Sequence, residues 1–428
     1  MSTKCASLKY VYGYSVGVIQ GFGRRHSNWD LREAEEKRLI EEKRKQPGVV
    51  FPSASRQEHL LIIRLNLRSS AEKNILLVQN GLRRLCGLFK EMEEGAIKVD
   101  ELEGDGSTEQ YPLSKYNFSS TIGFGAGFFA KLRITRNKPK KLYEMPDHKG
   151  LRDPLPYVLL QTDLLIQLGS NRESINRWIL QNDSYQTKGD DNDGALDDFS
   201  DTNSWRKYEG TKPKEIRDIV TAIGDWAYIT DVHSGFQRID GRNLMGFDDG
   251  ISNPDRLQNN IVWTADDDER SLVDGTYMVF QKIYHDLEQW RTLSITEQEK
   301  WVGRSKATGL LIGTLSKEDD EKLALDCRSP NPVVKRKARL MLKRLLSEQK
   351  DPENKLFDEK ESIRLECPVW SHVRKSNPRA EGGLKSRIIY RRGYLFMEDT
   401  QGGKVFSGLL FICFQKNISE GFEYIKRN

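Results

Sequence analysis

Apolar runs that alternate with amphipathic segments predict a mixed α+β protein. In the first half, Leu and β-branched residues predict a strand at His59–Leu67, and apolar positions at helical spacing predict a long helix that Ser69 or Ser70 caps. Further strands are predicted near residues 118–122, 157–168 and 226–232, with a short helix near 173–180. This order approximates β-α-β-β-α-β, the order of a ferredoxin-like unit.

The second half follows a similar plan. A strand is predicted at Thr276–Tyr284, then helices through Trp301, strands at 386–392 and 409–415, and a closing helix at 419–426. The chain therefore predicts two ferredoxin-like domains with antiparallel sheets, at residues 1–235 and 236–428.

A basic amphipathic helix is predicted at residues 333–350. Its apolar face is expected to hold Val334, Ala338, Met341, Leu342 and Leu345, and the remaining faces to hold mostly Lys and Arg. We interpret it as a surface helix docked on its own domain, with a partner-binding or membrane-surface helix as the alternative. The charged segment 30–46 predicts a solvated helix, and the acidic segment 189–201 predicts a surface loop.

Composition narrows the function classes. Against 63 Asp and Glu, 68 Lys and Arg give 428 residues a net charge of +5, which does not by itself imply nucleic-acid binding. Five scattered cysteines without a C-x-x-C pair argue against a zinc ribbon and a disulfide framework. No segment approaches the roughly 18 apolar residues of a membrane span, and the first twenty residues lack a signal-peptide core. We expect a cytoplasmic protein, with an extracellular one as the alternative.

One candidate functional motif remains after a dinucleotide-binding motif is excluded. Gly123, Gly125 and Gly127 lack the final glycine of a dinucleotide fingerprint, because Phe128 follows. Residues 238–254 read RIDGRNLMGFDDGISNP, centred on a G-x-x-D-G pattern at 246–250. Alone, this pattern is typical of a Gly-Asp turn. Within its surroundings, it resembles the signature of the dye-decolorising peroxidases, a haem peroxidase family.

The resemblance extends over roughly the last 190 residues. The segments 274–293, 367–379, 386–393 and 408–425, together with Val302-Gly303-Arg304, resemble successive blocks of that family. It implies the dimeric α+β barrel superfamily, with haem b in the C-terminal half. It also implies reduction of hydrogen peroxide and one-electron oxidation of small organic reductants, dye-like or phenolic. A non-catalytic haem-handling protein is the alternative. An oligomer and an encapsulating shell protein are compatible with the family; nucleic acid and membranes are not expected partners.

The resemblance also assigns site residues. His372 matches the proximal haem ligand of the family, the residue that binds the metal. It is one of six histidines, the others being His26, His59, His148, His233 and His285. His233 is the runner-up. Asp249 matches the distal acid-base residue, and an Asp there implies an acidic activity optimum because a carboxylate stays ionised down to about pH 4. Asp248 is expected to be a turn or solvated carboxylate.

Further positions complete the expected pocket. Arg391 matches the distal arginine, and Arg392, the next residue on the strand, is expected to face the other way. Leu409 and Phe411 share a strand face and resemble the haem-pocket lining, although core packing explains them nearly as well. Family members usually continue past the final helix with a carboxylate that hydrogen-bonds the proximal histidine. Because the sequence ends at Asn428, we expect that acceptor elsewhere or not at all.

Overall fold

The structure is a computed structural model that describes most of the predicted elements. The described residues are 17–19, 49, 57–102, 108–136, 138–143, 162–171, 222–238, 240–248, 259–264, 275–350, 366–376, 389–399 and 405–427. The predicted helices at 30–46 and 173–180, the acidic loop at 189–201, and Asp249 lie outside them.

Eleven strands and ten α-helices are present in these residues. The strands are β1 Gly17–Ile19, β2 His59–Leu67, β3 Lys98–Leu102, β4 Thr108–Pro112, β5 Ser119–Phe124, β6 Leu164–Ser170, β7 Ala227–Phe236, β8 Thr276–Tyr284, β9 Tyr390–Arg391, β10 Tyr394–Asp399 and β11 Val405–Gln415. The helices are α1 Ser69–Glu72, α2 Ile75–Glu93, α3 Ala126–Lys131, α4 Asn259–Val262, α5 Leu287–Thr292, α6 Ile295–Val302, α7 Lys317–Asp326, α8 Pro332–Lys350, α9 His372–Ser376 and α10 Phe422–Arg427.

Nine of the strands form one antiparallel sheet. Its order is β1-β8-β11-β10-β7-β2-β6-β5, with β9 paired to β11 and with β3 and β4 in a separate hairpin. Strand β1 at one end lies against β5 at the other, so the sheet closes on itself. Strands β7 and β10 join the two halves through the pair Phe236 and Leu395. The α+β antiparallel fold class is confirmed. The predicted boundary after residue 235 falls inside β7, and the division into two domains stays a prediction.

Closure gives the sheet two distinct apolar cores. The inner core unites residues of β2, β6, β8, β9, β10 and β11, so it joins the β8-β11-β10 part of the sheet to the β2-β6 part inside the barrel. The outer core packs the opposite faces against helices such as α2 and α10. Side chains alternate between these cores along each strand, because the strand period is two.

Helix α2 begins later than the sequence predicted. It starts at Ile75, and the Asn74 side chain caps it by accepting a hydrogen bond from the Leu77 amide at 3.1 Å. Ser69 instead opens the separate one-turn helix α1, so the prediction that Ser69 or Ser70 caps the long helix was wrong. Asparagine is among the strongest N-cap residues, because its short side chain reaches an unpaired amide of the first turn.

Helix α8 matches its predicted position but not its predicted apolar face. Ala338, Leu342 and Leu345 pack into a small core with Leu310 and Leu323, so the helix docks on its own chain as predicted. Val334 and Met341 are exposed, and their place on the docking face was wrong. No helix in the described residues is long and apolar enough to cross a bilayer.

Two glycines of α2 provide a matched test of this packing. A Cβ at Gly81 would lie 1.9 Å from Nε1 of the buried Trp226, whereas a Cβ at Gly87 meets nothing within 4 Å. We expect Gly81→Ala to lower the free energy of unfolding by about 1–3 kcal/mol through overpacking. Gly87→Ala should raise it by about 0.5–1 kcal/mol. Urea unfolding of both variants measures this, and a neutral Gly81→Ala would contradict the packing of α2 on Trp226.

Candidate functional site

The outer face of β9 and β11 carries three of the predicted site residues, Arg391, Leu409 and Phe411. Cys413 of β11 belongs to the outer core, and Phe411, two positions earlier, packs against the same core. Arg391 of β9 pairs with Cys413 in the antiparallel register. Directly opposed residues project to the same face, so Arg391 lies on the outer face with Phe411.

Arg392 faces the inside of the barrel, as the alternation predicted. Its side chain is fully buried and donates hydrogen bonds to the Gln57 side chain and to the Tyr394 hydroxyl. Tyr394 belongs to the inner core. The two arginines therefore lie on opposite faces of the sheet, with Arg391 on the outer one.

His372 is the first residue of α9, and this helix contacts both α6 and α10. Its side chain is exposed to solvent. Protein atoms nevertheless surround it, and this burial lowers the pKa of its imidazole, with the charges of Arg391 and Arg304 lowering it further. A side chain that is both accessible and surrounded by protein lines a concave surface. The lowered pKa keeps the ring neutral near pH 7, the state in which imidazole binds a metal.

A close approach of backbone segments positions the start of α9. Gly303 ends α6 with φ of +90°, and a Cβ there would lie 2.8 Å from Ser371 Oγ and 3.2 Å from Cys367 Sγ. Both contacts belong to the turn that leads into His372. Ser371 and Cys367 are buried, and Ser371 Oγ lies 3.4 Å from Cys367 Sγ. Glycine is thus required at 303 for its backbone conformation and for space.

Aromatic and aliphatic groups complete the outer face. The ring of Phe411 lies 5.8 Å from that of Phe422 on α10. Leu409, on the same face of β11, packs over Gly393, where a Cβ would lie 3.1 Å from Leu409 Cδ1. Since α10 also contacts α9, these side chains form an apolar wall close to the helix that carries His372.

The described part of the G-x-x-D-G segment, residues 246–248, continues from a turn in which the Gly246 amide donates a 3.0 Å hydrogen bond to the Asn243 carbonyl. Gly246 has φ of +88°, and the Asn243 side chain accepts a hydrogen bond from the Phe247 amide at 3.0 Å. Asp248 is half-buried, and its backbone pairs with that of Arg242 in a single antiparallel β-bridge. Asp249 follows directly but lies outside the described residues, so its role stays a prediction.

The runner-up ligand, His233, lies on the inner face of the sheet. It is buried on β7 opposite Ile62 of the inner core, and its ring is 5.6 Å from that of Phe280. Its Nε2 lies 3.1 Å from the Asp231 carboxylate, which Arg64 also contacts at 3.2 Å. Burial would raise the pKa of Asp231, but the hydrogen bond and charges around it lower that pKa to about 2. His233 is thus part of an inner polar cluster, separated from Arg391 by the sheet.

Two features near His372 were missed by sequence reasoning. Arg304 is buried, donates a 2.8 Å hydrogen bond to the Gly309 carbonyl, and lowers the pKa of His372. Trp301 and Trp370 are both about half exposed, and their rings meet edge to face at 4.8 Å. In the sequence, Trp301 precedes the Val302-Gly303-Arg304 match and Trp370 lies two residues before His372. These positions give no indication that the two indoles meet.

Comparison with protein-family models identifies the class. The Dyp-type peroxidase N-terminal model matches residues 46–189, and the Dyp-type peroxidase C-terminal model matches residues 240–428. Together they cover more than half of the chain. The chain belongs to the Dyp-type peroxidase family, as the sequence resemblance implied.

Individual relatives agree with this assignment. Deferrochelatase of Escherichia coli O6:K15:H31 (strain 536 / UPEC) is 29% identical over 328 residues, which are 73% of this chain and 60% of the relative. The chain thus spans less than two thirds of the length of such curated relatives.

Solved structures share the fold. A DyP-type peroxidase from Cellulomonas bogoriensis superposes with a TM-score of 0.59 at 19% identity, covering 89% of this chain and 85% of that chain. DtpA from Streptomyces lividans gives a TM-score of 0.58 at 21% identity, with the same coverage.

Dyp-type peroxidases bind haem, so the family assignment agrees with the implied cofactor, haem b. The residues present fit this group. His372 is accessible and its imidazole is held neutral, as an axial ligand requires. Phe411 and Leu409 supply apolar surface, and Arg391 supplies a cation on the same face.

The electrostatic setting of His372 predicts its titration in the haem-free protein. Its pKa should lie below 6.5, and Arg391→Gln should raise it part of the way back because one of two nearby cations is removed. Folding lowers the pKa of His372, so protonation of this ring favours the unfolded chain. The contribution of His372 to the free energy of unfolding is therefore full above pH 6.5 and is lost as the pH falls through the lowered pKa. NMR titration of the imidazole, assigned with His372→Gln, measures the shift.

Lys375→Gln on the same helix is the matched control. It removes one positive charge three residues away, yet Lys375 is not among the groups that set the pKa of His372. A pKa at or above 6.5, or an equal shift in both variants, would contradict this electrostatic account.

Proposed function

We propose that this chain is a haem peroxidase that reduces hydrogen peroxide and oxidises small organic reductants by one-electron steps. The observation that carries the proposal is the accessible imidazole of His372, whose pKa is lowered by burial and by the charge of Arg391, in a member of the Dyp-type peroxidase family. When bound, haem supplies the iron at which peroxide is reduced and which then accepts electrons singly.

In this proposal His372 would hold the iron, and the apolar wall of Leu409 and Phe411 would pack against the porphyrin. Burial and the charges of Arg391 and Arg304 lower the pKa of His372, so its ring would be neutral and able to bind the iron down to a lower pH than an ordinary His. The apolar wall excludes water and so strengthens the electrostatic interactions inside the pocket.

Proton transfer is assigned to Asp249 and charge stabilisation to Arg391. The Asp249 carboxylate accepts a proton from peroxide and returns it to the departing oxygen, a general acid-base role. Arg391 stays charged at all relevant pH values and stabilises the negative charge that develops as the O–O bond breaks. Because a carboxylate of ordinary pKa stays ionised in mild acid, activity should persist at acidic pH.

Dye-like and phenolic reductants are the proposed substrates, and the Trp301–Trp370 pair is the proposed entry point for electrons from bulky ones. Both rings are solvent-exposed and in contact. Trp370 lies two residues before His372, which links the pair to the haem ligand through a short stretch of chain. A cytoplasmic location and an encapsulating shell protein stay predictions.

A haem-handling protein without peroxidase activity is the second candidate. The observation that favours it is the name of the curated relatives, deferrochelatase, which does not describe a peroxidase. Both candidates use His372. They differ in whether Asp249 and Arg391 act on peroxide.

Rapid mixing of the haem-loaded protein with hydrogen peroxide separates the candidates. A peroxidase shows a peroxide-dependent spectral change, and Asp249→Asn should slow its rate constant by about 10²–10⁴-fold through loss of acid-base catalysis. Arg391→Leu should slow it by about 10²–10³-fold. Both variants should keep the haem spectrum.

Asp248→Asn provides the control, because it removes the neighbouring carboxylate of the same turn and should leave the rate nearly unchanged. Wild-type protein that binds haem but shows no peroxide-dependent change would refute the peroxidase and favour haem handling. An Asp249→Asn variant as fast as wild type would refute the assignment of Asp249.

Substitution of the indole pair tests the entry point for electrons. Trp370→Leu should lower kcat for a bulky dye by about tenfold or more while leaving oxidation of a small phenol largely unchanged, because only the bulky reductant depends on the surface. Tyr284→Leu removes an equally exposed aromatic residue from β8 and serves as the control. Equal losses for both reductants, or for both variants, would exclude a specific role for the pair.

A further inference from the structure

Helices α7 and α8 present an outward surface that the proposed peroxidase function does not use. We call it the hairpin face. It consists of Glu318, Glu321 and Leu325 on α7 and of Val333, Arg336, Lys337, Leu340 and Lys343 on α8. The helices form an antiparallel hairpin joined by residues 327–331, and all eight side chains are exposed.

The geometry of α8 shows that this face points away from the protein. Ala338, Leu342 and Leu345 dock the helix on its own core. Val333 and Leu340 are seven residues apart and lie on the opposite side of the helix, with exposed fractions of 60% and 59%. Leu325 of α7 is 68% exposed, while Leu323 of the same helix is buried. Apolar side chains thus project to solvent from both helices.

The charges of the two helices are opposite. Seven Lys and Arg against one Glu give α8 a formal charge of +6, and five Asp and Glu against two Lys give α7 a charge of −3. Among the ion pairs of the described residues, none joins α7 to α8. The hairpin therefore displays an acidic and a basic surface side by side, each with an exposed apolar centre.

We propose that the hairpin face binds a second copy of this chain, with α7 of each copy against α8 of the other. A two-fold axis places the same patch on both subunits, so the acidic helix meets the basic helix twice. Leu325 then packs against Val333 and Leu340 beneath the charges. This arrangement pairs opposite charges and covers the apolar side chains in one step.

The size of the face sets the expected strength. Helix α8 is about 28 Å long, α7 is about 15 Å long and each is about 10 Å wide, so the face covers on the order of 400 Å² per subunit. This lies below the roughly 800 Å² per partner of a standard stable interface. The dimer should therefore be reversible, and it should weaken as salt screens its charges.

An anionic membrane is a less suitable occupant of the same face. The basic helix would attract acidic headgroups, but the acidic α7 beside it would be repelled, and the apolar centres are short. Self-association uses the charges of both helices, whereas a membrane uses those of only one.

Sedimentation velocity of the 428-residue chain over a micromolar concentration series tests the proposal. Wild type should dimerise at low salt and dissociate at high salt. The variant Arg336→Glu/Lys337→Glu/Lys343→Glu removes the charge of α8, and Glu318→Lys/Glu321→Lys reverses that of α7. Each variant alone should raise the dimer Kd by about tenfold or more.

Sedimentation of a mixture of the two variants is the decisive measurement. The unchanged α7 of the first then meets the unchanged α8 of the second, so the mixture should form a heterodimer that neither variant forms as a homodimer. This rescue also shows that both variants are folded. Lys73→Glu/Arg83→Glu/Lys138→Glu changes the net charge as much as the α8 variant does, at exposed positions elsewhere, and should dimerise like wild type.

The proposal is overturned if wild type stays monomeric at low salt, if the α8 variant dimerises as well as wild type, or if the mixture does not associate. It is also overturned if wild type stays monomeric while floating with phosphatidylserine vesicles, because the membrane is then the occupant of the face.

Discussion

The alternation of side chains along β11 is the constraint on which the described site depends. This strand pairs with β8 over eight residues and also with β9 and β10, so its register is fixed from both sides. Leu410, Ile412 and Phe414 therefore face the inner core, while Phe411 and Cys413 face outward with Arg391. A slip of one residue would turn Phe411 into the barrel and place an inner residue on the outer face beside Arg391.

The second requirement is a helix that presents His372 to that outer face. Five residues of helix are too short to be stable alone, so α9 depends on its surroundings. Gly303 permits the close contact with Ser371 and Cys367, and α10 connects α9 to Phe411. Burial and two arginines then hold the imidazole neutral. The same cations thus help to keep the imidazole neutral and, in the case of Arg391, supply the proposed charge stabilisation.

Local sequence patterns predicted the positions of the strands well, but they did not predict the contacts between elements. Strands β2 and β8 occur at their predicted bounds because their apolar runs are long and end in polar residues. Strand β10 was missed, and the cap of α2 was misplaced by several residues, because Asn74 competes with the nearby serines. The opposite orientations of Arg391 and Arg392 followed from strand periodicity. The contact between Trp301 and Trp370, and the exposure of Val334 and Met341, depend on long-range packing that no local pattern contains.

The central claim is that His372 on the outer face, and not His233 in the barrel, is the axial ligand of haem. Resonance Raman and absorption spectra of the haem-loaded variants His372→Ala and His233→Ala test it most directly. The account predicts that His372→Ala loses the iron–histidine stretching band and shifts the Soret band, whereas His233→Ala, once folded, keeps both. Loss of that band in His233→Ala with retention in His372→Ala would contradict the account.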